Sequence, residues 1–297
     1  MRSAPVPSSP RVFAPLARLW RRSDFRQNPG RAIWRRLYWR WRWQCRSEPW
    51  PLRLTDDLVL LAPRTGSGAL IYYQGRSEPE TALFISGFLK PGMIFFDVGA
   101  HIGEYTLLAS RAVQSEGQVH AFEPVHELFK LLKRTLTCTA ASNVVVNHCA
   151  LANTNGTTNF VVYKELSCSS IANDEMSGSP TALRTDSVPV QSLDRYCEQQ
   201  GVTPHLIKVD VEGAELLVLE GAKALLALPP DRAPVWVIEY SEENYARFGM
   251  TVDTLRARFI AAGWYLYALR PDGRLELLVG NFRNEMNVVA IARPYVA

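Results

Sequence analysis

The sequence is poor in cysteine, and the few cysteines are scattered. Five occur in 297 residues, and no two show the C-x-x-C spacing of a zinc or redox motif. The five histidines also lack the spacing of metal ligands. This pattern predicts neither a disulfide framework nor a zinc site, and it favours a reducing cytoplasm as the compartment.

Long hydrophobic runs are missing as well. A transmembrane helix needs about 18 or more consecutive apolar residues, and no such stretch occurs in the sequence. We therefore expect no membrane span. Without an apolar segment behind it, the Arg21-Arg22 pair makes a poor twin-arginine export signal. The expected location is the cytoplasm, with peripheral contact to a membrane left open.

Acidic residues are nearly absent from the first part of the chain. Residues 1–47 contain twelve arginines and one acid, Asp24, whereas the remainder holds 21 basic and 28 acidic residues. We interpret residues 1–47 as a basic, Arg/Trp-rich arm on an acidic body. Its Pro/Ser-rich beginning, Met1 to Pro10, is predicted to be disordered.

Three interpretations of the arm remain open. In the first, its tryptophans pack on the body while its arginines stay solvated. In the second, residues 11–46 lie on an anionic membrane surface. The third interpretation is that arginine and tryptophan grip nucleic acid through phosphate charge and base stacking. We favour nucleic acid least.

Residues 48–89 form a lead-in to the main domain. Short apolar pieces at Leu58–Ala62 and Ala69–Tyr73 predict two strands, and Pro79 to Leu89 predicts a helix. From Lys90 onwards apolar strand segments alternate with helical segments, which predicts an α/β fold with a mostly parallel sheet covered by helices on both faces. Thr158–Tyr163 predicts an added strand, and the segment from Ser167 to Ser187 is expected to be a loop that shapes the acceptor pocket together with the lead-in. Tyr265–Leu269 and Asn287–Ala292 are expected to close this sheet as an antiparallel pair.

A glycine-containing turn follows the first buried strand, Met93 to Phe96. Asp97, Gly99 and Gly103 lie between this strand and the helix that begins near Tyr105. Glycine permits a positive φ and lets a ligand approach the backbone, while the helix directs its free N–H groups at that ligand. The segment predicts a cofactor-binding corner, although an ordinary tight connection would need similar residues.

An acidic residue ends the next strand. Glu123 follows Gly99 by 24 positions, and an acid at this strand end in doubly wound sheets accepts hydrogen bonds from the ribose of an adenosine cofactor. A solvated glutamate is the plain alternative.

The spacing of the glycines indicates which cofactor is bound. A dinucleotide site typically has G-x-G-x-x-G, whereas this chain has Gly99-x-x-x-Gly103 flanked by Asp97 and Glu104. These carboxylates would repel a pyrophosphate. They suit the positively charged amino and sulfonium groups of S-adenosylmethionine, so the local charge favours a methyl donor over a nicotinamide cofactor.

More carboxylates are predicted at the same edge of the sheet. The strand His205 to Asp210 places Lys208 and Asp210 on one face, with Glu212 in the turn beyond, and Glu239 ends the following strand. Such a group can hold a divalent cation or supply a general base. Alternatively the acids complement a helix dipole, an explanation that suits Glu215 better than Asp210.

Three segments taken together resemble one family. Phe96–Thr106, Ala121–Pro124 and Ile207–Glu215 are similar, in that order, to the motifs of the FkbM-type S-adenosylmethionine-dependent methyltransferases. The resemblance runs from about Lys90 to Pro294 and leaves out the arm. Members of this family mostly methylate hydroxyl or carboxyl groups of sugars and natural products. His101 departs from the family, which usually has asparagine there.

The resemblance implies a class I, Rossmann-like methyltransferase domain over residues 90–297, with a seven-stranded and mostly parallel sheet. The cofactor contacts that it implies are Asp97, Gly99, His101, Gly103, Tyr105, Glu123 and Pro124. Asp97, Gly99 and Gly103 would shape the methionine end of the site, and Glu123 would hold the ribose.

The catalytic hypothesis rests on the carboxylates. Asp210, with Glu212 and Glu239, would act as base, and Lys208 would neutralise a forming oxyanion or simply pair with Asp210 or Glu239. A divalent cation, if one is bound, would be held by Asp210, Glu212 and Glu239.

The expected acceptor is a small molecule or a glycan: a hydroxyl or carboxyl group of a sugar, glycolipid or natural product. RNA or protein acceptors remain alternatives. Outside the family, the alternatives are a nicotinamide-dependent oxidoreductase and a membrane-associated scaffold without catalysis.

Overall fold

The computed structural model describes residues 25, 26, 28–64, 66–172, 181–280 and 287–294. The helices are α1 (Pro29–Cys45), α2 (Gly66–Gln74), α3 (Pro79–Phe88), α4 (Glu104–Val113), α5 (His126–Thr139), α6 (Leu193–Gln200), α7 (Glu215–Glu220), α8 (Lys223–Leu226), α9 (Glu242–Ala246) and α10 (Val252–Ala261). The strands are β1 (Trp50–Arg53), β2 (Val59–Ala62), β3 (Ile94–Val98), β4 (Gln118–Phe122), β5 (Val144–Asn147), β6 (Ala150–Leu151), β7 (Gly156–Tyr163), β8 (Ser170–Ile171), β9 (Ala182–Gln191), β10 (Leu206–Val209), β11 (Val235–Glu239), β12 (Tyr265–Leu269), β13 (Leu275–Leu277) and β14 (Asn287–Ile291).

The main sheet has the strand order β13-β12-β14-β11-β10-β3-β4-β5. The five strands from β11 to β5 run parallel, and β14 pairs antiparallel with both β11 and β12. The predicted α/β class and the closing antiparallel pair are confirmed. The predicted strand number was seven, but the described sheet has eight, because the short β13 returns beside β12 as a hairpin.

Two hydrophobic layers cover the parallel strands, one on each face. Phe95 packs on the face covered by α3, α4 and α5, and Phe96 packs on the opposite face against α6 to α10. Successive side chains of a strand point to opposite faces, so a parallel strand buried on both sides is apolar at nearly every position. This is why Ile94–Val98 and Leu206–Val209 are recognisable as strands from the sequence.

A second sheet lies beyond β5, with the order β6-β9-β7-β8. The strand predicted at residues 158–163 forms part of β7, in this second sheet. The polar segment from Ser167 to Ser187 was expected to be a loop, which is wrong at both ends, where β8 and β9 pair with β7. Burial explains the error, because the residues of β9 before Val188 are exposed or half-buried, and only Val188 and Val190 are fully buried. Residues 173–180 lie outside the described part.

The lead-in differs from its prediction in one element. β1 and β2 form an antiparallel hairpin and α3 is present, but Ala69–Tyr73, predicted as a strand, lies within α2. Ile71, Tyr72 and Tyr73 favour strands by propensity. Packing overrides this preference, since the ring of Tyr72 stacks on Trp39 of α1 at 5.2 Å.

The arm contains α1, which the side chain of Asn28 caps by accepting a hydrogen bond from the backbone N of Arg31. Trp39 and Trp43 are buried against the lead-in, whereas Trp34 and Trp41 are exposed. The interpretation of an arm packed through its tryptophans therefore holds for half of these four rings. Residues 1–24 lie outside the described part, and with them the predicted disorder of Met1 to Pro10. No helix among the described residues is long and apolar enough to cross a membrane.

Candidate active site

A cavity of about 390 Å³ lies at the carboxyl ends of β3, β4, β10 and β11. The structure brings together at its wall ten of the residues singled out from the sequence: Gly99, His101, Glu104, Tyr105, Glu123, Pro124, Lys208, Asp210, Glu212 and Glu239. Asp97 and Gly103 lie behind the wall rather than on it. Neighbouring parallel strands end at one edge of a sheet, which is where ligands bind in open α/β folds.

The turn after β3 is shaped by its protein neighbours. Gly99 has a φ of 81°, and a Cβ there would lie 1.9 Å from the backbone oxygen of Asp210. Gly103, with a φ of 91°, would place a Cβ 2.3 Å from Leu132 Cδ1. The sequence suggested that these glycines make room for a ligand. The nearest protein atoms are those of the adjacent strand end and of helix α5, so these neighbours also require glycine, and the predicted role towards a ligand stays a prediction.

Glu123 joins two strand ends. Its Oε2 accepts a hydrogen bond from the backbone N of His101 at 2.8 Å, and its Oε1 accepts one from the backbone N of Val125 at 2.7 Å. Burial raises the pKa of Glu123 to about 7. A carboxylate can accept up to about four hydrogen bonds, so Glu123 can still accept from a hydroxyl on the cavity side.

His101 lies on the cavity wall with a φ of 52°. Its Nε2 atom is buried and has no hydrogen-bond partner among the described residues, as is also true of Ser67 Oγ on the opposite wall. Burial lowers the pKa of His101 to about 4, so the ring is neutral at physiological pH. A buried polar atom without a partner is costly, and a ligand in this cavity can satisfy both atoms.

Lys208 and Asp97 occupy paired positions on β10 and β3. Asp97 is completely buried and accepts a hydrogen bond from Thr106 Oγ1, while its Oδ1 has no partner in the described structure. Burial raises the pKa of Asp97, and the charge of Lys208 opposes this shift. Asp97 thus lies beside Lys208 behind the cavity wall, and its predicted contact with the cofactor stays a prediction.

Lys208 forms an ion pair with Asp210. Its Nζ lies 2.8 Å from Asp210 Oδ2, and the Lys208 side chain is 2% exposed against 31% for Asp210. Burial alone would lower the pKa of Lys208, but the charges of Asp210 and Asp97 raise it above its usual value. The ammonium group also lies 4.6 Å from the ring centroid of Tyr105. Of the two roles open for Lys208, the pairing with Asp210 is the one observed.

Asn244 links the two other carboxyl groups of this edge. Its Nδ2 donates to Glu212 Oε2 at 3.1 Å and to Glu239 Oε1 at 3.0 Å. Burial, followed by repulsion from Asp210, raises the pKa of Glu212 to about 8 and that of Glu239 to about 9. Both are therefore protonated at neutral pH, which makes them poor bases there.

Glu215 holds the turn after β10 together. It is completely buried, and its Oε1 accepts hydrogen bonds from the backbone N atoms of Val211 and Gly213 at 2.9 and 3.3 Å. The observed role of Glu215 is thus structural, and its predicted effect on the helix dipole stays a prediction. Among the described residues, no group of three His, Cys, Asp or Glu side chains is placed to hold a metal ion, and the expected cation receives no support.

The lead-in lines part of the cavity with residues that were not singled out from the sequence, among them Ser77 and Glu78. Tyr105 donates from its hydroxyl to Glu78 Oε2 at 2.8 Å, and Asn287 donates to the same oxygen at 2.9 Å. Glu104, which burial brings to a pKa of about 7, accepts from the backbone N of Ser77 at 3.2 Å. No local pattern around Ser77 and Glu78 indicates a site. Asn244 was more accessible to prediction, because it follows a strand end by five positions.

The cavity is also bounded by a contact between α2 and the segment after β7. The carboxylate of Glu165 accepts hydrogen bonds from the backbone N of Gly66, with distances of 3.2 and 3.3 Å to its two oxygens. Gly66 and Glu165 both lie on the cavity wall, together with Leu70, Leu166 and Ile171. This side of the cavity is mainly apolar, in contrast to the acidic strand ends.

The parallel sheet and the acidic cavity at its carboxyl ends define an α/β enzyme with a cofactor site in its strand-end cleft. The chain belongs to the FkbM methyltransferase domain family, whose model matches residues 97–264. Its parallel strands and the cavity at their carboxyl ends have the arrangement of a Rossmann-like fold. The nicotinamide oxidoreductase considered from the sequence is not supported.

Solved structures similar to the chain include methyltransferase FkbM from Methylobacillus flagellatus, at 19% identity and a TM-score of 0.45, over 76% of this chain and 54% of that one. The chain thus spans about half the length of that protein. An S-adenosylmethionine-dependent O-methyltransferase from Thermotoga maritima matches at 14% identity and a TM-score of 0.38, over 84% of this chain and 88% of that one.

A Streptococcus mutans protein in complex with S-adenosylhomocysteine matches at 11% identity and a TM-score of 0.39, over 71% of this chain and 91% of that one. No curated protein of known function matches.

Proposed function

We propose that this methyltransferase transfers its methyl group to a hydroxyl group of a sugar, glycolipid or natural product, with Asp210 as the general base. The observation that carries the proposal is the Lys208–Asp210 pair, a buried ammonium that holds a partly exposed carboxylate at the cavity wall. The cofactor, when bound, supplies a methyl group on a positively charged sulfonium.

The residues present fit S-adenosylmethionine. Glu123 lies at the end of β4, where it can accept from ribose hydroxyls, and the unpartnered Nε2 of His101 faces the same cavity. Val125 and Leu128 offer an apolar surface for a base ring. Asp210, paired with Lys208, also lies on the cavity wall, and a carboxylate there suits the positive charge of the methionine part.

Asp210 is the best candidate for removing the acceptor's proton. Glu212 and Glu239 keep their protons at neutral pH because of burial and the nearby charge of Asp210. The remaining carboxylate at this edge is therefore the one paired with Lys208. As the hydroxyl oxygen attacks, its proton passes to Asp210, and the ammonium of Lys208 stabilises negative charge that develops on the oxygen.

The charge of the cavity favours a hydroxyl over a carboxylate acceptor. The positive charge of Lys208 is offset by the neighbouring carboxyl groups of Asp210, Asp97 and Glu78. A carboxylate or a phosphate would find this ammonium already paired, whereas a neutral hydroxyl needs no free cation. The same argument counts against RNA as the acceptor.

The test is transfer of a labelled methyl group from the cofactor to a panel of glycosides, glycolipids, carboxylic acids, RNA and protein. Label in an ether of a glycoside or glycolipid supports the proposal. Label confined to esters, RNA or protein contradicts the choice of acceptor.

The Asp210→Asn variant tests the base separately. We expect kcat to fall by about 100-fold or more, while the affinity for S-adenosylhomocysteine stays near that of the wild type. Glu243→Gln, an exposed acid on α9, is the matched control and should retain activity. Full turnover by Asp210→Asn would show that another group takes the proton.

A further inference from the structure

Helix α1 has two apolar faces, and only one of them packs on the protein. Ala32, Trp39 and Trp43 are buried against the lead-in. Ile33, Leu37 and Trp41, spaced four residues apart, lie with Trp34 on the opposite face and are 51–60% exposed. We call these four side chains the outward face of α1. Residues four apart in a helix lie above one another, so they form a continuous stripe.

The aromatic rings of this region are held in place. Trp34 stacks on Tyr38 with ring centroids 5.1 Å apart and planes inclined by 9°, and Tyr38 contacts Trp41 at 5.5 Å. Tyr38 also contacts the ring of Trp50 on β1 at 5.6 Å. The exposed rings thus pack on one another and on β1, and such contacts lower the entropic cost of binding a partner.

The charge around the outward face has one sign. Residues 25–46 contain seven arginines and no acidic residue. The guanidinium groups of Arg35, Arg36 and Arg42 lie over rings on the inner side, at 4.4–5.5 Å from the centroids. Arg31 and Arg40 are exposed and border the stripe. An apolar stripe with cations along its edges is complementary to anionic lipid headgroups above an acyl boundary.

We propose that the outward face of α1 docks the enzyme on a bilayer surface that carries anionic lipids. A second copy of the chain would bring the same arginines face to face, which is unfavourable. A nucleic acid would satisfy the arginines but would leave Ile33 and Leu37 without an apolar partner. A lipid surface accommodates both the charge and the apolar side chains.

The docked helix would also be in contact with a helix that lines the cavity. The inner side of α1 packs through Trp39 on Tyr72 and Tyr73 of α2, and the first residues of α2 form part of the cavity wall. A helix pair thus connects the docking surface to the site. The proposal concerns where the enzyme works and does not depend on which acceptor it methylates.

The test uses the full chain and sedimentation with vesicles of phosphatidylcholine that contain about one quarter phosphatidylglycerol. We expect binding to these vesicles, much weaker binding to pure phosphatidylcholine, and a marked loss at about 0.5 M salt. The triple variant Trp34→Ser, Leu37→Ser, Trp41→Ser should bind about tenfold more weakly or worse.

The matched control replaces three side chains of similar exposure elsewhere, Leu83→Ser, Leu183→Ser and Ile260→Ser, which are 53–55% exposed. It should bind the anionic vesicles as the wild type does. Unchanged S-adenosylhomocysteine binding shows that each variant is folded. The proposal is overturned if the wild type ignores anionic vesicles, if both triple variants bind equally, or if the outward face mediates dimerisation or RNA binding instead.

Discussion

The glycine at the end of β3 offers a quantitative test of what shapes the cofactor corner. In Gly99→Ala the new methyl group would lie 1.9 Å from the backbone oxygen of Asp210, at a φ of 81°. A positive φ costs a non-glycine residue about 1–2 kcal/mol, and overpacking of a tight contact costs about 1–3 kcal/mol. We therefore expect the free energy of unfolding to fall by about 2–5 kcal/mol.

Three other glycines separate these two costs. Gly75 has a φ of 86° with no atom within 4 Å, so its alanine variant should show only the backbone cost, about 1–2 kcal/mol. Gly221 lacks a positive φ, but a Cβ there would lie 2.1 Å from the oxygen of Ala152, which predicts about 1–3 kcal/mol. Gly87 has neither feature, and Gly87→Ala in α3 should stabilise by about 0.5–1 kcal/mol.

The assay is urea unfolding followed by far-ultraviolet circular dichroism, with calorimetric titration of S-adenosylhomocysteine on each variant. The reasoning is refuted if Gly99→Ala loses no more stability than Gly75→Ala. If Gly99→Ala keeps its stability but loses ligand affinity, the glycine serves the ligand directly. That outcome would restore the explanation drawn from the sequence.

Three further predictions concern buried groups. Glu239 has a pKa of about 9, well above the usual value of 4.5, so between these two values the folded protein binds a proton that the unfolded chain releases. The stability of the wild type should therefore decline as pH rises from about 5 to 9. Thermal unfolding across that range should show a shallower decline for Glu239→Gln. Glu123→Gln places an amide donor opposite a backbone donor in a buried position. We therefore expect the free energy of unfolding in urea to fall by about 1–3 kcal/mol, and S-adenosylhomocysteine to bind more weakly. Trp39→Ala should lose about 3–5 kcal/mol in urea unfolding because its ring is buried among aromatic neighbours, whereas the exposed Trp34→Ala should stay within about 0.5 kcal/mol of the wild type.

Each of these predictions has a contradicting outcome. An unchanged pH slope in Glu239→Gln would mean that this acid is ionised in the folded protein. A Glu123→Gln variant with normal stability and ligand affinity would remove Glu123 from the cofactor site. Equal losses in the two tryptophan variants would mean that α1 does not pack through Trp39.

The parts of the fold that were predictable from the sequence follow local rules. Phe95 and Phe96 alternate between two covered faces, and this periodicity reveals a strand without knowledge of its neighbours. The sequence placed Glu123 and Asp210 correctly because each lies at the end of a predicted strand, and the carboxyl ends of neighbouring parallel strands lie at one edge of the sheet. The helical state of Ala69–Tyr73 was not predictable, since it depends on Trp39, about 30 residues earlier.

The part of the site that was missed depends on long-range contacts. Glu78 lies on the cavity wall and accepts a hydrogen bond from Asn287, which is 209 positions away in the chain. Asn244 acquires its role only because β10 and β11 are adjacent and bring Glu212 beside Glu239. Local patterns carry no information on such pairings, because the pairing of strands decides which side chains meet.

The bond between Glu165 and Gly66 has a consequence for the shape of the cavity. Glu165 lies within the family-matched residues 97–264, whereas Gly66 precedes them. One wall of the cavity thus comes from a segment outside the matched domain, while the strand ends with Glu123 and Asp210 belong to that domain. A change in the first residues of α2 would therefore reshape the cavity and leave these strand ends as they are.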